Sequence, residues 1–136
     1  MFLMTGSAMA AGTSTVAVSA TVLGTCTISG GTAAFGNLDP AGAGLISAAV
    51  AQPAVTCTNG APYIITDDDG MNESGINANQ MAFGTNLILY SFAYTAAGTG
   101  NGGAQTIGLT ASVAQVDYQN KPAGNYSDTV TLSVLP

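Results

Sequence analysis

The chain predicts an all-β protein, an antiparallel β-sandwich, on three observations. Runs of alternating apolar and polar residues recur along it, the period of strands with one buried face. Glycine, Asn-Gly and Pro-Ala-Gly turn signals separate those runs at short intervals. Polarity comes from Thr, Ser, Asn and Gln, since only 6% of residues are charged while 47% are hydrophobic; soluble domains carry about a quarter charged residues. A length of 136 residues suits one domain. A chain of that size can bury about two thirds of its unfolded surface.

The elements follow in order. Thr13 to Leu23 reads TSTVAVSATVL. Val16, Val18, Ala20 and Val22 alternate with Thr15, Ala17, Ser19 and Thr21, which predicts a strand with one apolar face. After Gly24, Thr25 to Ile28 continues it as a short strand until Gly30-Gly31 breaks the run. Phe35 to Pro40 reads as a strand end entering a turn. Residues 41–52 read as loop plus a short strand, because two glycines and a missing cap offset their good helix formers. Pro53 to Thr58 is a strand ended by Asn59-Gly60, a hairpin-type turn signal. Tyr63 to Thr66 is another, stopped by Asp67-Asp68-Asp69-Gly70, and Asn72 to Asn79 is turn-rich.

Gln80 to Phe83 precedes the most strand-like run, Asn86 to Tyr94, which carries bulk on both faces like a central strand. Ala96 to Gly103 reads as a glycine-rich loop, Thr106 to Val113 as a strand and Tyr118 to Gly124 as a turn. Tyr126 to Val134 closes the chain as a strand. Tyr126, Val130, Leu132 and Val134 lie on one face, with Thr129, Thr131 and Ser133 on the other.

Residues 1–10 are apolar and rich in small side chains. Ala8-x-Ala10 fits a signal-peptide cleavage pattern, with Ala11 or Gly12 as the new N-terminus. The segment lacks a positive n-region, and an ordinary flexible terminus is the alternative. Cys26 and Cys57 have no C-x-x-C partner. In an exported chain that spacing points to one disulfide; two buried free thiols are the alternative. No run approaches the ~20 apolar residues of a membrane-spanning helix, so membrane insertion is not expected.

Composition excludes several functions. Lys121 is the only cation, against seven acids, for a net charge of −6, and there is no histidine. Phosphate contacts to nucleic acid need several Lys or Arg. Serine nucleophiles here have no histidine base, and Lys121 sits in an apparent surface turn beside Pro122. No enzyme, cofactor or metal is expected. The acidic turn has carboxylates at spacings that can bind calcium. Counted from Asp67, however, the EF-hand positions six and twelve are Asn72 and Ala78, so that pattern fails and a solvated turn is expected.

The segment from Thr13 to Leu23 remains. It is long, alternating and uncharged, with no Lys or Pro to blunt it. Such a strand invites pairing with another chain. It is either hidden inside the domain or kept for β-strand addition, where main-chain bonds give affinity and alternate side chains fill pockets.

At this point the sequence resembles the spore coat protein U domain family, the subunits of archaic chaperone–usher pili. The marks are Val16-Ala-Val18, Val22-Leu-Gly-Thr-Cys26-Thr-Ile, Phe35-Gly36, and Val55-Thr-Cys57-Thr-Asn-Gly60-Ala-Pro-Tyr63. Gln80-Met81, Leu87-Ile-Leu-Tyr90 and Ala123-Gly-Asn-Tyr126-Ser-Asp128-Thr-Val-Thr-Leu-Ser-Val134 complete them. The sequence departs from the family at Gly98 to Gly103, where a Trp-Gly is frequent, and at Gln80, where a basic residue is common.

The resemblance implies an incomplete immunoglobulin-like sandwich completed by a donor strand from a neighbouring subunit. On that pattern residues 1–10 are the signal-peptide remnant, 11–24 the donor segment and 25–136 the incomplete domain. Val16, Val18, Ala20 and Val22 are the donor side chains, with the register open to a one-residue slip. Tyr126, Val130, Leu132 and Val134 border the acceptor groove, and Cys26 and Cys57 match the family's disulfide. The implied partners are identical or related pilins, a periplasmic chaperone and an outer-membrane usher. The implied product is an extracellular fimbrium supporting adhesion and biofilm formation. The alternative is a secreted, self-complemented coat-like protein whose first strand folds back into its own domain.

Overall fold

The computed structural model describes residues 10–136. The signal-peptide remnant expected over residues 1–10 lies outside them but for Ala10. From Ala10 to Thr25 the chain runs without turn, bend or strand partner, and every residue is exposed.

Short strands then follow one another. The first five are β1 (Cys26–Ile28), β2 (Thr32–Ala34), β3 (Ile46–Ser47), β4 (Ala49–Ala51) and β5 (Ala54–Cys57). The middle of the chain forms β6 (Pro62–Asp67), β7 (Gln80–Phe83), β8 (Asn86–Leu89), β9 (Ser91–Ala93), β10 (Ala97–Thr99) and β11 (Ala104–Thr106). β12 (Thr110–Val113), one helical turn α1 (Gln115–Tyr118) and β13 (Leu132–Leu135) close it. The all-β antiparallel class read from the sequence holds: every ladder among these strands is antiparallel.

Three three-stranded sheets, β1-β5-β11, β10-β6-β13 and β3-β12-β9, are joined by the pairs β2-β4 and β7-β8. The first two sheets face each other. Val55 and Cys57 of β5 and Tyr63 and Ile65 of β6 turn inward and form one buried cluster with Ile107 and Leu109. Cys26 and Cys57 stand opposite each other in the β1–β5 register and are joined by a disulfide. A second cluster holds Met81, Ile88, Tyr90, Val113 and Tyr118. Phe92 packs against both clusters, so the two cores are continuous.

Several elements differ from the sequence reading. Thr13 to Leu23 has the alternation of a strand but no strand partner among the described residues. Asn59-Gly60 does form a turn, with Gly60 at φ 81°. It joins strands of different sheets rather than a hairpin, since β5 pairs with β1 and β11 while β6 pairs with β10 and β13. The run from Asn86 to Tyr94 is split at Tyr90, because the chain leaves β7 as its partner and takes β12. Its inward face continues through the break as Ile88, Tyr90, Phe92 and Tyr94.

The glycine-rich stretch Ala96 to Gly103 is no open loop: it contains β10, whose Gly98 lies opposite Tyr63. A side chain at Gly98 would run into the Tyr63 ring. Gly108, at φ 64°, breaks Thr106 to Val113 into β11 and β12. The helical turn α1 was not expected. One turn is too short to show a period, and its Gln115 and Tyr118 serve to tie down the loop at Gly42 and Gly44 through their side chains.

A groove floored by the core between two strand edges

A groove of about 880 Å³ opens along the sandwich. One wall runs from Ser29 through β2 to Leu38, and the other from Lys121 to Leu132. Between them the groove is lined by core residues, including Met81, Ile88, Tyr90, Phe92, Leu109 and Tyr118. These residues come from both buried clusters, so the hydrophobic core itself forms the floor. Both walls belong to elements paired on one edge only: β2 pairs with β4, and β13 pairs with β6. β1 likewise pairs only with β5, and it lies alongside β13 with no ladder between them. An apolar floor between strand edges with unused N–H and C=O groups is the geometry into which one more strand fits.

The C-terminal wall needs bracing, because Tyr126 to Thr131 lacks a continuous strand partner. The expected strand from Tyr126 to Val134 is ladder-paired only over β13, with a single bridge from Ser127 to Ala82. Side chains hold the rest. The Asp128 carboxylate accepts from the Tyr90 hydroxyl at 2.6 Å, the Met71 amide at 2.9 Å and the Asn72 side-chain amide at 3.2 Å. The Asp68 carboxylate accepts from the amides of Thr131 at 2.9 Å and Gly70 at 3.0 Å. Tyr126 stacks at an angle on Phe83, with ring centroids 5.7 Å apart, and its hydroxyl donates to the Pro122 carbonyl at 2.8 Å.

The acidic turn is therefore a clamp on this wall. Asp67 accepts from the Tyr94 hydroxyl at 2.6 Å and from the Asp69 amide at 2.8 Å. Burial raises the Tyr90 hydroxyl well above the ordinary phenol range, reinforced by the Asp128 carboxylate that its neutral form donates to. Burial and Asp67 act in the same way on Tyr94.

The Thr131 amide, and then that of Gly70, hold Asp68 below its ordinary value of 3.8. A depressed carboxylate stabilises the fold above its unfolded value, and that contribution fades as pH falls through the lower folded value. The Thr131 amide resonance is therefore expected to shift with a midpoint below 3.8 in an NMR acid titration. A midpoint at or above that value would show that the clamp is not formed. Asp68→Asn should abolish this transition.

The sequence-derived residues fall on both sides of this geometry. Tyr126, Val130 and Leu132 line the groove. Val134 lies beyond the lining and packs on the cluster around Val55 and Ile65. Val16, Val18 and Val22 are 81%, 90% and 82% exposed, and Ala20 is exposed beside them. Sequence reasoning missed the opposite wall. Its signal is weak: Gly30-Gly31-Thr32-Ala33-Ala34 is a run of small residues with no inward apolar side chain, every one of them exposed.

Comparison with known proteins gives the family of the chain. Residues 12–133 match the family model of the Spore Coat Protein U domain. A search of curated proteins gives no match. Among solved structures the chain is similar to the crystal structure of the CsuC-CsuE chaperone-tip adhesion subunit pre-assembly complex from archaic chaperone-usher Csu pili of Acinetobacter baumannii. That similarity has 18% identity and a TM-score of 0.48, and it covers 84% of this chain but only 40% of the other. With nearly its whole described length inside the family match, the chain belongs to the Spore Coat Protein U domain family.

Proposed function

We propose that the protein is a structural subunit of an extracellular chaperone–usher pilus of the archaic type, polymerising by donor-strand complementation. One observation carries this reading: a single chain holds both a groove floored by its own core and an exposed, alternating apolar segment with no strand partner among the described residues. Val16, Val18, Ala20 and Val22 of one subunit enter the groove of the next. Four alternate residues span roughly 20 Å of extended chain. Three buried valines return roughly 4–9 kcal/mol before ordering costs. Main-chain bonds to the free edges add to this and fix the register. Tyr126, Val130 and Leu132 form the receiving wall, and Val134 supports it from the core behind.

A groove of this kind is a hazard while empty, because its floor is exposed apolar surface. A periplasmic chaperone covers it after export, and an outer-membrane usher exchanges that cover for the next subunit's segment. The finished fimbrium lies outside the cell and serves adhesion and biofilm formation. No helix of the described residues is long and apolar enough to cross a membrane.

Deletion of residues 13–23 tests the proposal. The truncated subunit is expected to bind a synthetic peptide of residues 13–23 but to terminate growing fibres, since it can accept a strand and not donate one. Fibres of normal length built from the truncated subunit would refute the reading.

A further inference from the structure

The stem of the exposed segment is held by one residue. Thr58, partly buried just past β5, makes three hydrogen bonds to it. Its hydroxyl accepts from the Thr25 amide at 3.0 Å and donates to the Leu23 carbonyl at 2.8 Å. Its own amide donates to the Thr25 carbonyl at 3.0 Å. Leu23 and Thr25 flank Gly24, the one glycine between the segment and β1 and the natural place for the chain to reverse.

A tight turn returning residues 13–22 along the free edge of β1, toward their own groove, would close across Gly24 and Thr25. Its bond would run from the Cys26 amide to the Leu23 carbonyl. That carbonyl is already engaged by Thr58 on the β5 side. Both main-chain groups of Thr25 also face Thr58, so Thr25 cannot turn into a loop position without breaking two bonds. A hydroxyl can accept and donate at once. An aliphatic side chain at 58 would leave the Leu23 carbonyl and the Thr25 amide free.

We infer that Thr58 is a positioning residue that blocks self-complementation, directing residues 13–22 away from their own groove and toward a second copy of this chain. The inference rests on the donor-strand reading and adds to it a reason why the segment is given to a neighbour.

Hydrogen exchange on the monomeric full-length subunit tests it, with wild type, Thr58→Ser and Thr58→Val side by side. In wild type and Thr58→Ser the amides of residues 13–22 exchange freely, while that of Thr25 is protected. In Thr58→Val the amides of residues 13–22 become protected within the monomer, by about tenfold for one net hydrogen bond lost, and fibre yield falls in proportion. A Thr58→Val subunit with freely exchanging residues 13–22 and normal fibre yield overturns the inference. If that variant does not fold, wild type decides alone, because a Thr25 amide as fast as those of residues 15–21 shows that the clasp does not exist. Failure of the donor-strand reading itself has a separate signature: wild-type subunits would not bind the peptide of residues 13–23, whatever stands at position 58.

Discussion

Ala20→Arg is expected to abolish fibre assembly while leaving the subunit's own stability unchanged. Ala20 lies in the exposed segment and has no strand partner among the described residues. Exposed substitutions away from special features usually change stability by about 0.5 kcal/mol or less, so thermal denaturation of the monomer should match wild type. Under the proposed assembly the same side chain faces the groove, whose lining includes only Lys121 and Asp128 as charged residues. An arginine there is a cation set against an apolar floor, because the Asp128 carboxylate is already engaged by Tyr90, Met71 and Asn72. The effective penalty for burying such an ion is several kcal/mol, comparable with everything the three valines contribute. Assembled material on an unboiled, non-reducing gel should fall by roughly two orders of magnitude, which corresponds to about 2.8 kcal/mol. Ser19→Arg, on the opposite face, is the control and should assemble. An unchanged ladder with Ala20→Arg sinks the proposed donor face; blockage by Ser19→Arg alone would shift the register by one residue.

Removing the disulfide, by Cys26→Ala with Cys57→Ala, should lower the melting temperature by roughly 10–20 °C. The bond closes a loop with a sequence separation of 31. Chain-entropy arguments assign such a closure about 3–4 kcal/mol, and each kcal/mol moves Tm by about 4 °C in a domain near this size. The fold gives a second reason for a large effect. β1 is three residues long and is paired only with β5, and the disulfide joins those two strands at the buried Cys57. Without it, the element that leads into the groove wall is held by one short ladder. Calorimetry of the double variant would settle the matter, and a shift under about 3 °C would show that β1 is held by other means.

Much of this fold was legible because its strands are half-buried. Tyr63 and Ile65 point in while Pro62, Ile64 and Thr66 point out, and β-branched and aromatic residues mark the strand although the outward Ile64 breaks the alternation. The inward run Tyr126, Val130, Leu132 and Val134 was visible for the same reason, and Asp128 in its midst is explained by Tyr90. Pairing was less legible. Asn59-Gly60 specifies a local reversal, but β5 pairs with β1, 27 to 31 residues before it, and with β11, 48 to 52 residues after it, as the Cys26–Ile28 and Ala104–Thr106 registers show. No local signal encodes that choice. The groove was the hardest feature to read, because it is a missing strand. The stretch of its far wall from Gly30 to Ala34 is Gly, Thr and Ala with no inward apolar residue before Phe35, and a gap leaves no pattern of its own.

The groove's floor has a further consequence. Because it is the core itself, under the proposed assembly the same contacts serve folding and association at once. Within a fibre the subunit then melts at no single temperature of its own. Anything that binds only the native state raises stability with its concentration, so each subunit's resistance to unfolding is set by the occupant of its groove. Mechanical or thermal failure of one subunit and loss of its neighbour become a single event, and the fibre's durability is a property of the row, absent from any member taken alone.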